Sequence, residues 1–352
     1  MRLVLSTVLM AVLLCFCCTA EAAKRAAYPT GYTAHILDPN PVAEPAEAWF
    51  LDNQCNVIGP ANVNGSSMLN IWQPHKKVTR LAAAPDEASY YIMAVMTWNV
   101  RPQRMNKHDE MLYATDGSSV GVVDLLTGKT RTLGKLPGIA LYTAVDINDN
   151  GVCVGNACRG LESGDPTLPI LWPRNGKPRL LALPTGCTNG HANGINSRGQ
   201  IIGNAWSDYW LYEARVVIWN SDGTIASEIP PTPEEVMLGT APSGQMISDN
   251  GCILLRAAWS YDLVSPTGTR TLIAYPVLGE GIFAMNSHGQ LAGYDNEGAV
   301  IFNPDGTRIH LPPPIPGAYC TAYDVNDDGV AVGSALAPDS SRWVAVMWTP
   351  SR

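Results

Sequence analysis

The chain has 352 residues, only 15% of them charged, and a formal net charge of −8. No stretch concentrates Lys and Arg, which excludes the basic footprint of a nucleic-acid binder. Gly 32 and Pro 27 punctuate the sequence throughout, so a length of two ordinary domains can be held as one repeating unit.

In chain order, the first element is an address. Arg2 precedes an apolar run from Leu3 to Cys18, and Ala20-Glu21-Ala22 forms a small-x-small cleavage site. This is the pattern of a secretory signal peptide over residues 1–22, with 23–352 as the mature protein. The run is short of the roughly 20 residues that a spanning helix needs. Leu13-Leu14 before Cys15 lacks the small residue that precedes a lipidated cysteine. No second apolar segment follows, so a secreted or periplasmic monomer without membrane insertion is expected.

Next comes Pro29 to Leu37, which reads as an isolated outer strand, and after it one pattern recurs. It is clearest in Ala144-Val-Asp-Ile-Asn-Asp-Asn-Gly-Val-Cys-Val-Gly155 and returns at 192–203, 283–293 and 322–333, with weaker copies at 48–59 and 247–255. Asn-x-x-Gly between alternating apolar residues is a β-hairpin signal, with Asn opening the turn and Gly taking positive φ. A second hairpin follows each first one. Its leading strand ends at Ile71-Trp72, Leu171-Trp172, Ile218-Trp219, Ile301-Phe302 or Met347-Trp348, and its turn is of the type Ser221-Asp-Gly-Thr224. Two hairpins make a four-stranded antiparallel unit.

The apolar residues before the turn are Leu51, Ile147, Ile195, Ile247, Met285 and Val325. The interval from Leu51 to Ile147 spans two periods of about 48 residues, which places a missing copy near Trp98. About seven such units predict an all-β fold, a β-propeller of four-stranded blades forming a single domain over 23–352. The chain runs out at Val346 to Arg352 without a fourth strand for the last unit, and Thr30 to Leu37 matches Asp305 to Leu311. The N-terminal strand is therefore expected to complete the last blade, which closes the ring and protects sheet edges.

These repeats resemble the HAF family of bacterial extracellular repeats, over nearly the whole mature chain. The resemblance implies an exported β-propeller-like protein and carries no assigned activity. The departures are Arg101 to His108, which replace the usual turn of the second unit, and the fifth unit, whose C-terminal hairpin lacks the Trp.

Strand order separates two faces. The short uniform turns share one; the long individual loops share the other, where binding residues usually sit. The richest loop carries Trp206, Asp208, Tyr209, Trp210, Tyr212 and Glu213, and the corresponding loop of the next unit carries Trp259, Tyr261 and Asp262. Rings with polar rims suit a sugar, which has apolar C–H faces and hydroxyl edges. Asn189, His191, Glu280, Asp295, Glu297, Asp339, Arg342 and Trp343 add to that face, with His191 near the channel. Packing of the same rings over blade tops is the competing account. Cys55, Cys153, Cys158, Cys187, Cys252 and Cys320 remain after signal removal, an even number that permits disulfides. Cys158 and Cys187 fall on the long-loop face of one blade and form the preferred pair.

Asp146-x-Asn148-x-Asn150-Gly151 and Asp324-x-Asn326-x-Asp328-Gly329 match the opening of a calcium loop. The closing positions are Ala157 and Ala335, and equivalent turns at Asn196 and Asn286 form without the acids. The hairpin accounts for the motif, so no cofactor is expected and calcium is the one candidate. Gly117-Ser-Ser-Val-Gly121 spells G-x-S-x-G but runs into the β-rich Val120 to Asp124 and not into a helix, so it is no nucleophile elbow, and no H-E-x-x-H is present. The sequence thus points to a non-catalytic binding module for a glycan or cell-surface ligand. The alternative is a secreted polysaccharide-degrading hydrolase or lyase using acids or His191 at the channel mouth.

Overall fold

The computed structural model describes residues 28–37, 47–63, 66–73, 78–83, 105–114, 119–160, 165–207, 214–257, 259–276, 279–336, 338 and 343–351. Residues 1–22, read above as a signal peptide, lie outside them. Seven antiparallel sheets, six of four strands and one of three, follow one another along the chain as the blades of a propeller.

The first strand, β1 (Tyr32–Ile36), does not begin a blade. Blade 1 consists of β2 (Phe50–Leu51), β3 (Val57–Val63), β4 (Ser66–Gln73) and β5 (Val78–Ala83). Blade 2 has β6 (Glu110–Ala114), β7 (Val120–Asp124) and β8 (Thr130–Thr132). Blade 3 is β9 (Leu141–Ile147), β10 (Cys153–Cys158), β11 (Thr167–Trp172) and β12 (Arg179–Leu180). Blade 4 is β13 (Asn189–Ile195), β14 (Ile201–Trp206), β15 (Arg215–Trp219) and β16 (Ile225–Ile229). A one-turn helix, α1 (Pro233–Met237), leads to blade 5, which is β17 (Ser243–Ile247), β18 (Ile253–Arg256), β19 (Tyr261–Val264) and β20 (Arg270–Ala274). Blade 6 is β21 (Gly281–Met285), β22 (Leu291–Asp295), β23 (Gly298–Phe302) and β24 (Arg308–His310). Blade 7 takes β25 (Tyr319–Val325), β26 (Ala331–Leu336) and β27 (Trp343–Pro350) from the end of the chain. Its fourth strand is β1, paired antiparallel with β27 from Tyr32↔Pro350 to Ile36↔Val346. The expected closure of the ring is therefore present.

Turn chemistry follows the repeat. Gly151, Gly199, Gly251, Gly289 and Gly329 close the inner turns with φ between 70° and 88°. In the weak copy at 48–59 and in the second blade the same left-handed position is filled by Cys55 (φ 60°) and Asp109 (φ 58°), a conformation that side chains other than Gly, Asn and Asp adopt at a cost. This corrects the position of the missing copy. It centres on Met105, which bridges Met111 as the remnant of an inner strand, and Trp98 lies outside the described residues.

The inner strands of blades 3 to 7 share a bulge, at Val145, Asn193, Gln245, Phe283 and Tyr323. Just beyond it the partner strand must approach closely, which explains the recurrent glycine. A Cβ at Gly203 would stand 1.8 Å from the His191 carbonyl oxygen, and one at Gly333 1.9 Å from that of Thr321.

Blade-to-blade packing uses the other repeat residues. Trp172, Trp219 and Trp348 are buried among apolar side chains, and their indole N–H groups donate to Gly134, Ala182 and Pro312 carbonyls at the end of the preceding blade (2.8, 2.6 and 2.8 Å). Asp146 and Asp324, the first residues of the calcium-like motif, do something similar with backbone donors. Asp146 accepts from Ile147 N (2.8 Å) and from Ile195 N of the next blade (2.7 Å). Asp324 accepts from Val325 N (2.8 Å) and, across the closure, from Leu51 N (2.8 Å). These carboxylates clamp neighbouring inner strands together.

Candidate functional site at the channel mouths

The uniform turns surround one end of the axis. Asn106, Asn148, Asn196, Asn286 and Asn326 each donate a side-chain N–H to the backbone carbonyl at the same position of the next blade, at 2.9 to 3.1 Å. In blade 5, where Ser248 replaces Asn, Asn250 reaches His288 O instead (2.8 Å). Within this circle Asp149 binds Lys107 Nζ (3.0 Å) and Ser197 Oγ (2.8 Å), and Asp327 binds Asn53 Nδ2 (2.7 Å). Burial pushes the Asp149 carboxyl up, but hydrogen bonds from the Lys107 backbone and side chain and from Ser197 outweigh it and hold it below its ordinary value. The partly open cavity here is about 60 Å³, lined by residues of all seven blades. The hydrogen bonds from turn to turn fasten the blades together at this mouth.

At the opposite, long-loop face, His191 on β13 lies half-buried with Trp206 edge-on, ring centroids 4.8 Å apart at 85°. Burial lowers the imidazole pKa from 6.5, which favours its neutral form. Asn204, in register with His191, staples the seam to blade 5. Its Oδ1 accepts from Ser243 Oγ (2.9 Å) and Gly244 N (3.1 Å), and its Nδ2 donates to Pro242 O (3.1 Å). Trp259, in the loop of blade 5 that corresponds to the Trp206 loop, is 61% exposed. Trp343 is half-buried on β27, and Asn189 accepts from Thr167 N (3.1 Å).

Other expected site residues serve packing or ion pairs. Tyr261 has no exposed surface and belongs to the core between blades 5 and 6. Asp262 holds Arg270 at 2.7 Å, and Arg270 in turn holds Glu235 of α1 at 3.0 Å. Glu280 holds Arg308 at 2.6 Å; Asp295 holds Arg308 at 3.5 Å and His310 at 2.9 Å. Glu297 stays mostly exposed, 3.6 Å from His310. Asp208, Tyr209, Trp210, Tyr212, Glu213, Asp339 and Arg342 lie outside the described residues. No three His, Cys, Asp or Glu side chains among the described residues converge as metal ligands.

The Cys158–Cys187 pairing needs correction, because both are free thiols, as are the other four described cysteines. The Cys158 Sγ turns to Gly160 O (3.1 Å), whereas Cys187 packs on the apolar cluster between blades 3 and 4, which includes Leu171, Ala192 and Val217.

Sequence reasoning missed an aromatic cluster in blades 6 and 7. Phe283 and Tyr323 occupy the bulge positions with centroids 5.2 Å apart at 71°, and Tyr294 stacks on Phe283 at 5.6 Å and 25°. Tyr319, at the start of β25, is 44% exposed. A bulge reverses the alternation that a strand pattern relies on, so these rings carried no readable signal.

No protein-family model matches the chain, and no curated protein sequence does. Solved structures do. A catalytically inactive variant of virginiamycin B lyase from Staphylococcus aureus, in complex with quinupristin, is similar at TM-score 0.54 and 13% identity, over 90% of this chain and 99% of that one. Oligogalacturonate lyase in complex with manganese is similar at TM-score 0.56 and 10% identity, over 92% and 97%. Puromycin hydrolase matches at TM-score 0.54 and 14% identity, over 91% of this chain but 54% of that one. At such identities the likeness is one of fold: this chain is a closed seven-bladed β-propeller.

Proposed function

We propose that the protein is an exported propeller binding module that holds a glycan on its long-loop face. The observation that carries this reading is the exposed Trp259 in the loop corresponding to that of Trp206 in the neighbouring blade. A large ring left in water is what a sugar face packs against. Export is supported by the signal-like residues 1–22 and by the resemblance of the repeats to the HAF family. Trp259→Ala should weaken binding of a glycan found by array screening about tenfold or more, as loss of an aromatic anchor does, with an unchanged melting temperature. Undiminished affinity in the folded variant refutes the reading.

A second reading has one observation of its own. A neutral His191 at the channel mouth has the form that a proton-abstracting base needs, and the similar structures named above are lyases and a hydrolase. Against it, the ring that His191 meets is Trp206 and its register partner is Asn204, neither of them titratable. Polysaccharide cleavage by the wild type that is lost in His191→Gln would favour this enzyme reading.

A further inference from the structure

A groove of about 640 Å³ runs between the 136–139 link, which joins blades 2 and 3, and the outer strands of blade 3. Leu136 and Ile139 line it from the link, and Leu168 on β11 and Leu180 on β12 line it from the sheet. The link is fixed in place. The Tyr142 hydroxyl accepts from Leu136 N (2.6 Å) and donates to Leu136 O (3.1 Å), and Ala140 N donates to Cys158 O (3.1 Å). Leu181 is buried in the cluster shared with blade 4, so its neighbour Leu180 turns the other way, to the groove, and stays 40% exposed. The repeat does not require leucine at these places. In blade 4, aligned on Trp172 and Trp219, the positions of Leu168 and Leu180 are held by Arg215 and Glu228, an ion pair at 3.1 Å.

Among the described residues, the charged side chains that line the groove are Arg159 and Arg179, and no acid or aromatic ring joins them. Arg179 is opposite Leu171, and Arg159 follows Cys158, which is opposite Thr167. At the rise of an extended strand this puts the two arginine backbones about 17 Å apart, toward opposite ends of the groove. Arg179 Nη2 already donates to Ser221 O of blade 4 (2.6 Å). Arg159 is exposed and meets no carboxylate among the described residues.

We propose that this groove binds a single medium-length fatty-acid chain, with the carboxylate on Arg159 and the methylene tail along Leu168 and Leu180. The assignment goes beyond the glycan reading and is independent of it. The head is anionic because both lining charges are positive, and a guanidinium fork takes a carboxylate with two parallel hydrogen bonds. The body is aliphatic because the walls are. A sugar ring would find no aromatic face here. A peptide would bring N–H and C=O groups that these side chains, and an edge strand of two residues, leave unpaired. An acyl chain incurs neither loss, and covering the exposed Leu180 removes apolar surface from water. The volume falls among those of small-molecule sites.

The test titrates the mature protein calorimetrically with decanoate, decanol, decyltrimethylammonium and acetate, each below its micelle concentration. Decanoate should bind about tenfold or more tightly than decanol, because the charged fork adds to apolar burial. Decyltrimethylammonium should bind more weakly than decanol, and acetate not measurably. Arg159→Gln should bring decanoate down to the affinity of decanol while leaving decanol binding and melting temperature unchanged. Leu180→Ser, at a 40% exposed position, should weaken decanoate and decanol alike by about fivefold or more. If either variant melts lower, methyl spectra of the wild type decide, since decanoate should shift Leu136, Ile139, Leu168 and Leu180. Equal affinity for decanoate and decanol, decanoate binding unmoved by Arg159→Gln, tighter binding of the cationic probe, or methyl shifts elsewhere each overturns the assignment. Attachment to phosphatidylglycerol vesicles without binding of free decanoate also overturns it, in favour of a membrane surface.

Discussion

Asp324 joins the last blade to the first, and its removal measures what that clamp contributes. The carboxylate is 6% exposed and accepts from Val325 N and Leu51 N, both at 2.8 Å. Asp324→Ala leaves two buried backbone donors without these acceptors. Each orphaned buried group costs about 1–3 kcal/mol, so the loss should be about 2–6 kcal/mol. A domain of this size shifts by roughly 2 °C per kcal/mol, which predicts a melting temperature lower by roughly 4–12 °C. Asp324→Asn keeps one acceptor oxygen but presents an N–H to the other donor, so it should recover no more than about half of the loss. Scanning calorimetry on the three proteins reads the effect directly. If Asp324→Ala melts within about 1 °C of the wild type, the clamp does not hold the closure and the role given to the motif is wrong.

Two further outcomes are expected. Gly203→Ala should prevent folding, because its Cβ would fall 1.8 Å from a backbone oxygen that cannot swing aside, whereas Gly128→Ala, with open space around it but φ 70°, should fold and lose only about 1 kcal/mol; a soluble, normally melting Gly203→Ala contradicts the close approach. Burial holds the His191 pKa below 6.5, so the unfolded chain takes up this proton first; the stability linked to it is present above about pH 6.5 and lost as pH falls through the folded value. His191→Gln should flatten melting temperature against pH between about 7 and 5, and an unchanged slope refutes the linkage.

The ring was legible because its repeat residues each have a mechanical task. Asn opens a turn, Gly takes positive φ, Trp reaches the preceding blade, and a strand at one end matches a strand missing at the other. The second blade escaped because Asp109 stands in the left-handed position and leaves no glycine to mark the turn. The functional face was less readable. Alternation tells which side of a sheet a residue occupies, but not which charge faces it from the neighbouring strand or blade. Asp262 and Glu280 therefore looked like ligand-facing acids although Arg270 and Arg308 claim them.

Pairing β1 with β27 also orders events in time. Thr33 meets Ser351, 318 positions further along the chain, and closing so long a loop in an unfolded chain would cost about 5 kcal/mol of entropy. Hairpins that join near neighbours come first, and the strap comes last, after the other blades have brought the two ends together. Until then β27 is a bare edge that any extended strand can occupy, including β1 of another copy. Slow folding and domain-swapped association at high concentration are thus two faces of the same closure.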